Sequence, residues 1–435
     1  MSLRNRELLN LLVVAVVTGL GFASVYIARQ SVISTGSLSY GIFFLCLYLV
    51  AHFAVRFTVP HADPYLLPMA GLLSAVGVTE IYRLEPGDAF RQGLWIVIAL
   101  ALFVATLVLL RRDYRRLESY KYLFGLSAIG LLALPALPHF GQTVNGARLW
   151  VRIGSLQFQP GELAKIMLIV FLAGYLREKR EVLAQGRLKD FGPLLVIWGA
   201  CMLVLVETKD LGSALLYFAI FLAMLYVATS RLTYVWIGLG LFLAGAYAAY
   251  EKVPHIRERV TIWLHPWTDH PVHCALTGKP ALRQDCASYQ LVKSLYSIAN
   301  GGWGGPGLGR GTFETTAGRP LIPDLRSDFI YSALAQELGL VGIAALILVY
   351  MLVATRGFRI SLLAEDGFSK LLALGLTFGF AFQTFIIVGG VLRLIPLTGI
   401  TFPFVSYGGS SVVANFVLLA GLLLVSNRAN REAGR

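Results

Sequence analysis

The chain has 435 residues, of which 57% are hydrophobic and only 14% charged, where a water-soluble protein of this length carries about a quarter charged. That excludes an ordinary soluble globule and makes lipid the main solvent, as does a mean hydropathy of +0.69. The net charge of +13 does not mark a nucleic-acid binder, because the basic residues crowd short loops between apolar blocks: Arg111, Arg112, Arg115, Arg116 and Lys121 in one, Arg177, Lys179, Arg180, Arg187 and Lys189 in another. Such loops are the positive-inside signal and favour anionic headgroups of the bilayer.

In chain order, apolar blocks of the length that crosses about 30 Å of hydrocarbon predict twelve membrane helices, near 8–28, 39–57, 64–83, 91–110, 121–138, 160–176, 192–207, 210–228, 231–250, 328–354, 368–391 and 406–426. The first block follows Arg4 and Arg6 without a small-residue cleavage site, so it is expected to stay as a helix. The expected fold class is an all-α integral membrane protein, a polytopic helical bundle. An even number of crossings puts both termini on one side, and Arg4, Arg6, Arg428, Arg431 and Arg435 make that side the cytoplasm. Arg231, Arg356 and Arg359 then also face inward.

Four connections with polar content are left to face outward: 139–159, 207–210, 251–327 and 392–405. The loop 251–327 is too long to be a mere connector and is rich in Lys and Arg, which suits an anionic ligand. Its helix-like run Tyr289–Ala299 suggests a folded cap over a site. Cys46 and Cys201 read as small core residues. Cys274 and Cys286 share the long loop, and if it is extracellular they are either bonded or free; spacing leaves both open.

Ionisable side chains in apolar segments are costly and usually functional. Here they gather at the outer helix ends: Glu162, Lys165, Glu207, Lys209, Asp210 and Asp328, with Glu337 nine residues further along, roughly 13 Å deeper. The inner halves are nearly bare, His52 being the main exception. That asymmetry describes an outward-facing cavity and not a polar path through the membrane. Glu162 and Lys165 stand three apart on one helix face, with Pro160 suited to the first turn. They form either a self-neutralising interfacial pair or part of the cavity lining, alongside Arg148, Trp150 and Arg152. Arginine suits phosphate because its planar fork bonds two oxygens at once.

Asp328 opens a helix, so it is either an N-cap or, if Ser327 caps instead, a carboxylate free to act as a general base toward a sugar hydroxyl. The run Gly301–Gly311 has neither a preceding strand nor a Walker lysine, so it reads as a tight backbone turn and not as a nucleotide loop. His265, Asp269, His270 and His273 could group around a metal, but clustered histidines in a polar loop are more often solvated. The Pro- and Gly-dense segment 393–411 breaks the helix where irregular backbone is tolerated only beside a cavity or packed within protein. Arg393, Ser406 and Ser410 are therefore candidate wall residues.

Five ordered segments resemble the SEDS family, the RodA/FtsW/SpoVE type of bacterial cell-wall and division proteins. Asn145-Gly-Ala-Arg148-Leu-Trp150 with Gln159-Pro-Gly-Glu162-Leu-Ala-Lys165 is similar to its GAxRW and QPSExxK signature, and Asp210-Leu-Gly-Ser-Ala to PDLGTA. Gln290–Gly311 resembles its Q-x-x-x-S and glycine-rich stretch, Pro323-Asp-Leu-Arg-Ser-Asp328-Phe-Ile its PExHTDFIF, and 396–411 its PITGxPLPFxSYGGSS. The resemblance runs from about Asp63 to Asn427. It implies a ten-helix core (61–427, with the loop 251–327) preceded by two additional helices (1–60) and followed by a cytoplasmic tail (428–435). It also implies a peptidoglycan glycosyltransferase in the bacterial plasma membrane that polymerises lipid II into β-1,4 glycan outside the bilayer, in elongation or division.

The expected partners are lipid II, the nascent strand and a class B penicillin-binding protein, with possible dependence on a divalent cation, Mg or Mn. The family's essential acid falls on Asp328, and its Arg, Trp, Glu and Lys on Arg148, Trp150, Glu162 and Lys165. Arg152, Asp210, Gln290, Lys293, Arg393, Ser406 and Ser410 complete the substrate-binding candidates. No residue is assigned as a resident metal ligand. Departures are Gly161 for Ser, Lys209 for Pro, Arg326 for His, and Val388–Arg393 for an Asn-Ile-Gly start. The rival function is transport of lipid II across the bilayer. It would call for repeat symmetry, interrupted helices near the midplane and polar groups reaching both faces; the charge is one-sided and no internal repeat is evident.

Overall fold

The computed structural model describes residues 2–434 apart from 31–34, 138–139, 145–146, 154–155, 186–190, 275–277 and 315–319. Asn145, Gly146, Arg187, Lys189 and Arg435, named above, lie outside the described residues. Twelve helices match the predicted blocks: α1 (Leu3–Gln30), α2 (Thr35–Thr58), α3 (Leu66–Leu84), α4 (Pro86–Leu110), α6 (Lys121–Ala133), α7 (Pro160–Ala184), α8 (Gly192–Glu207), α9 (Leu211–Thr229), α10 (Leu232–Lys252), α13 (Ile330–Leu363), α14 (Gly367–Val391) and α15 (Gly409–Glu432). Between them lie a single turn, α5 (Arg116–Ser119), and two loop helices, α11 (Pro254–Leu264) and α12 (Tyr289–Gly301).

Local chemistry sets several helix starts. Pro86, Pro160 and Pro254 open α4, α7 and α11, where a missing N–H costs nothing. Asp210 and Asp366 cap α9 and α14, accepting from Ser213 N and Ser369 N at 2.9 Å each. α6 stops short of the predicted 138 because Pro135 turns the chain into a 3-10 turn.

Burial is inverted in the way lipid demands. Phe57, Leu109, Leu203 and Leu241 are exposed, while Glu80, Lys165, Gln383 and Asn415 are buried. α14 and α15 form the centre of the bundle, and α10, with no buried residue, lies at its edge. The linker between α2 and α3 meets the end of α15: His61 N donates to Asn427 Oδ1 at 2.8 Å and Asp63 N to Ser426 Oγ at 3.0 Å. Arg4 reaches Ala62 O and Glu7, and His52, the isolated inner histidine, sits 2.7 Å from Glu7. α1 and α2 are thus joined to the core by a buried polar cluster at this end.

The opposite end carries the elaboration. Residues 141–158 form an antiparallel meander of β1 (Gly141–Val144), β2 (Ala147–Ile153) and β3 (Leu156–Phe158), pairing Gln142 with Trp150 and Arg152 with Gln157. The loop 251–327 holds α11, a small hairpin of β4 (Val272–His273) and β5 (Pro280–Ala281), and α12. Cys274 and Cys286 are bonded, with Cα atoms 5.9 Å apart and a sequence separation of 12. A loop of that size makes the bond worth ~3 kcal/mol. Replacing both cysteines with serine should lower the thermal midpoint in detergent, and so should reduction of the wild-type chain; an unchanged midpoint would mean the clip carries no strain of the fold.

One predicted helix is interrupted. Gly339 in α13 has φ 65°, and the glycine-rich turn enters there: Leu340 N bonds Gly302 O at 2.9 Å and Gly307 N bonds Glu337 O at 2.9 Å. A Cβ on Gly339 would stand 2.4 Å from Gly305 N, so only glycine fits. Glu337 accepts from Gly309 N and Gly311 N at 2.7 and 2.9 Å, and Arg83 donates to both carbonyls, Gly309 O and Gly311 O. The carboxyl predicted to lie deeper than Asp328 is a clamp on this turn.

Candidate functional site

A cavity of about 1090 Å³ opens at this elaborated end. Its walls come from the N-terminal ends of α4, α9 and α15, the meander, α11, the segment before α13, and the loop 397–401. Asp328 lies at its floor, half-buried, where a Cβ on Gly399 would come within 3.6 Å of Oδ2. Neither Asp328 nor Ser327 caps α13. The helix begins at Ile330 with Phe329 as its uncapped N-cap, and Ser327 Oγ bonds Asp324 O at 3.2 Å. The Asp328 carboxylate therefore caps no helix. Burial, with the nearby Asp324 charge, pushes its pKa up to about 6 against the pull of Arg259 and a bond from Ser327. Burial likewise raises the Asp210 carboxyl, opposed by its bonds to Ser213.

Of the predicted site residues, Asp328, Trp150, Arg152, Asp210 and Gln290 line the cavity. Trp150 and Arg152 stand two apart on β2, hence on one face. Glu162 and Lys165 lie one layer beneath. Lys165 Nζ bonds Glu162 Oε2 at 2.9 Å and Gln383 Oε1 at 2.5 Å, and Thr401 on the cavity floor bonds Glu162 Oε1 at 3.1 Å. Gln383 Nε2 adds a bond to Thr401 O at 3.0 Å. The self-neutralising reading holds, and the expectation that the pair lines the cavity does not: it lies beneath the floor and supports it.

Ser406 and Ser410 are fasteners. Ser406 Oγ donates to Ser327 O at 2.5 Å and accepts from Phe402 N at 2.9 Å, tying the Asp328 segment to the loop. Ser410 Oγ accepts from Gln159 N at 2.7 Å, tying α15 to the start of α7. Like Glu162, Lys165, Ser406 and Ser410, three further candidates fall outside the lining. Arg148 donates to Leu137 O at 3.2 Å, Lys293 lies over the Tyr289 and Tyr296 rings, and Arg393 lies over Trp267. His265, Asp269, His270 and His273 do not gather; among the described residues no three His, Cys, Asp or Glu do.

Several lining groups went unselected in the sequence. Arg91 and Arg326 both bond Asp88, and Arg326 also lies over the Tyr407 ring. Asp324 and Arg259 flank Asp328. The signal for Arg259 was its place on α11 four residues before Trp263: both reach the loop above, Arg259 Nη1 to Leu397 O at 3.2 Å and Trp263 Nε1 to Arg393 O at 3.0 Å. An apolar strip of Leu94, Trp95 and Ile98 on α4 continues the cavity wall.

A charged cavity roofed by loops at one end of a lipid-embedded helical bundle defines a polytopic membrane protein with its candidate site at one face. The family model for FtsW, RodA and SpoVE, described as cell cycle protein, matches residues 56–432, and the chain belongs to that family. The peptidoglycan glycosyltransferase RodA of Mycobacterium tuberculosis is 40% identical over 449 aligned positions, covering 98% of this chain and 91% of its own. A probable peptidoglycan glycosyltransferase FtsW of Geobacter metallireducens is 32% identical, covering 84% of this chain and 95% of its own. Among solved structures, a chain of a peptidoglycan synthase complex studied for coordination of polymerization and crosslinking superposes with a TM-score of 0.67 at 28% identity, covering 85% of this chain and 98% of that one. The rod shape determining protein RodA of Thermus thermophilus gives 0.59 at 25%, covering 84% and 96%. Residues before 56 lie outside the family model, yet the mycobacterial relative spans them too, so α1 and α2 are shared with it.

Proposed function

We propose that this chain is a peptidoglycan glycosyltransferase that polymerises lipid II into β-1,4 glycan strands at the outer face of the plasma membrane, during elongation or division. The observation that carries the reading is Asp328: a carboxylate free of capping, held at the floor of a basic cavity at the charged end of the bundle. Basic loops at the other end support placing both termini in the cytoplasm and the cavity outside.

In the proposed step the donor's diphosphate rests against cavity cations while its lipid lies along the α4 strip. Asp328 takes the proton from the acceptor's GlcNAc 4-hydroxyl, the oxygen attacks the donor's anomeric carbon from the far side, and undecaprenyl diphosphate departs. The carbon inverts, giving the β linkage. Because Asp328 must be ionised to act, and its pKa stands at about 6, the rate should fall about tenfold per pH unit below that value. A flat profile from pH 7 to 5 would remove Asp328 as the base.

A divalent cation, Mg²⁺ or Mn²⁺, fits here as a guest of substrate. Among the described residues no three His, Cys, Asp or Glu gather, so the ion would be held chiefly by substrate phosphate oxygens and water, with Asp324 on the cavity wall as the one carboxylate it would take, in keeping with the habit of Mg²⁺ of binding one or two carboxylates with phosphate and water. Bound there, it would neutralise phosphate charge. Activity unaffected by a chelator would remove it. A class B penicillin-binding protein is the proposed partner, in keeping with the likeness to a synthase complex.

The transport reading draws on one feature, the break in α13 at Gly339. The glycine-rich turn satisfies that break with backbone bonds, so it is packed within protein and lines no path. Reconstitution with lipid II and the transpeptidase partner separates the two: polymer on a gel supports the enzyme, and movement of labelled lipid II between leaflets without polymer supports transport.

A further inference from the structure

The cavity is lined by Arg91, Arg152, Lys209, Arg259 and Arg326. Arg91 and Arg326 are both held to the single buried carboxylate of Asp88, and Arg152 on β2 has a partner of its own. Arg259 differs. It is half-buried, spends one N–H on Leu397 O, and forms no ion pair among the described residues, although its charge reaches both Asp328 and Asp210. Lys209 lines the same cavity, exposed, with φ 61° at the turn into α9 and no side-chain partner among the described residues. Asp210 uses its carboxylate to cap α9, so it does not silence Lys209 by direct contact.

We propose that Arg259 and Lys209 together bind the diphosphate of the lipid-linked donor next to Asp328. The assignment rests on the glycosyltransferase reading and gives its donor subsite an address. A guanidinium with four N–H groups to spare fits one phosphate as a fork, and the flexible ammonium at the mouth meets the second as a point charge. Arg259 feels the Asp328, Asp210 and Glu258 charges without a direct ion pair among the described residues, so its remaining N–H groups are open to a diphosphate, whose charge-assisted bonds would fill them. As the acceptor oxygen gives its proton to Asp328 and bonds the anomeric carbon, the carbon–oxygen bond to the diphosphate breaks. The electron pair leaves on the phosphate oxygen facing Arg259, and the proton on Asp328 passes to water.

The bland alternative is that Arg259 only braces the loop 393–397, a task Trp263 shares through Arg393 O. Binding separates the two roles. With the full chain in nanodiscs, affinities for undecaprenyl diphosphate and undecaprenyl monophosphate are compared. The wild type should prefer the diphosphate. Arg259→Gln should lose on the order of 100-fold of diphosphate affinity and Lys209→Ala on the order of tenfold, as for lost charge-assisted contacts, with Arg259→Lys between. Monophosphate affinity should change less, so the preference collapses.

A second readout follows from position. Asp324 raises Asp328, Arg259 and the Ser327 bond lower it, and Lys209 and Arg326 share the cavity walls. Removing the Arg259 charge should therefore move the acid limb of polymerisation to higher pH, which a brace would not do. Should Arg259→Gln fail to fold, Arg259→Lys and Lys209→Ala decide the matter. Folded variants that keep the wild-type preference for diphosphate overturn the proposal. A wild type that prefers diphosphate yet makes no polymer overturns the activity reading and leaves this subsite standing.

Discussion

Asp328→Asn should abolish polymerisation, by ~10³-fold or more as expected for removal of a general base, while leaving the folded protein as stable as before or more so. The sign follows from linkage. A carboxyl whose pKa is higher in the folded chain than in the unfolded one loses folding free energy as pH rises from the ordinary carboxylate range through about 6. Above that range the wild type carries an ionised group in a site that disfavours it, and asparagine removes the charge while keeping the shape. Lipid II turnover and thermal unfolding of the two proteins, measured side by side above pH 7, check both halves. Wild-type turnover in the variant would remove Asp328 from catalysis; loss of turnover with a collapse in stability would reduce it to a structural residue.

Lys165→Met should cost the most stability. Lys165 is 2% exposed and Glu162 8%, and the ammonium is shared between Glu162 and Gln383 beneath Thr401. Removing it strands a carboxylate among apolar helices, which costs ~3–5 kcal/mol, and loosens the cavity floor, so polymerisation should fall with it. Lys165→Met combined with Glu162→Gln should recover most of the stability, because no unpaired charge remains. Thermal midpoints of the two single variants and the double variant decide this: a double variant no better than the singles would show that the pair is not coupled.

The transmembrane helices were legible because lipid leaves few choices. A backbone must satisfy its own hydrogen bonds across the hydrocarbon, so each apolar block of sufficient length becomes a helix. The concentration of charge at one end was legible for the same reason, and it located Asp328, Trp150, Arg152, Asp210 and Gln290 in the cavity lining. The meander at 141–158 was written in the sequence but passed over: Arg148, Trp150 and Arg152 alternate with Leu149, Val151 and Ile153, the period of a strand.

Other features depend on distant partners and carry no local mark. The break at Gly339 exists because a turn some thirty residues earlier packs into it. Asp328 looks like an N-cap until the segment 326–328 is seen fastened to Ser406 and Tyr407. In the long loop, Arg259, Lys293 and Arg310 read alike; only tertiary packing turns Arg259 toward Asp328 and leaves Lys293 on two tyrosine rings.

All of this chemistry requires the cavity to open on the outer side of the membrane, where the glycan is built. Arg310 lies exposed in the glycine-rich turn at the cavity end, and Cys46 is the exposed free thiol. In whole cells expressing Arg310→Cys in a Cys46→Ser background, a membrane-impermeant maleimide should label the protein without permeabilisation. Labelling that appears only after the membrane is breached would put the cavity in the cytoplasm and contradict a polymerase acting outside it.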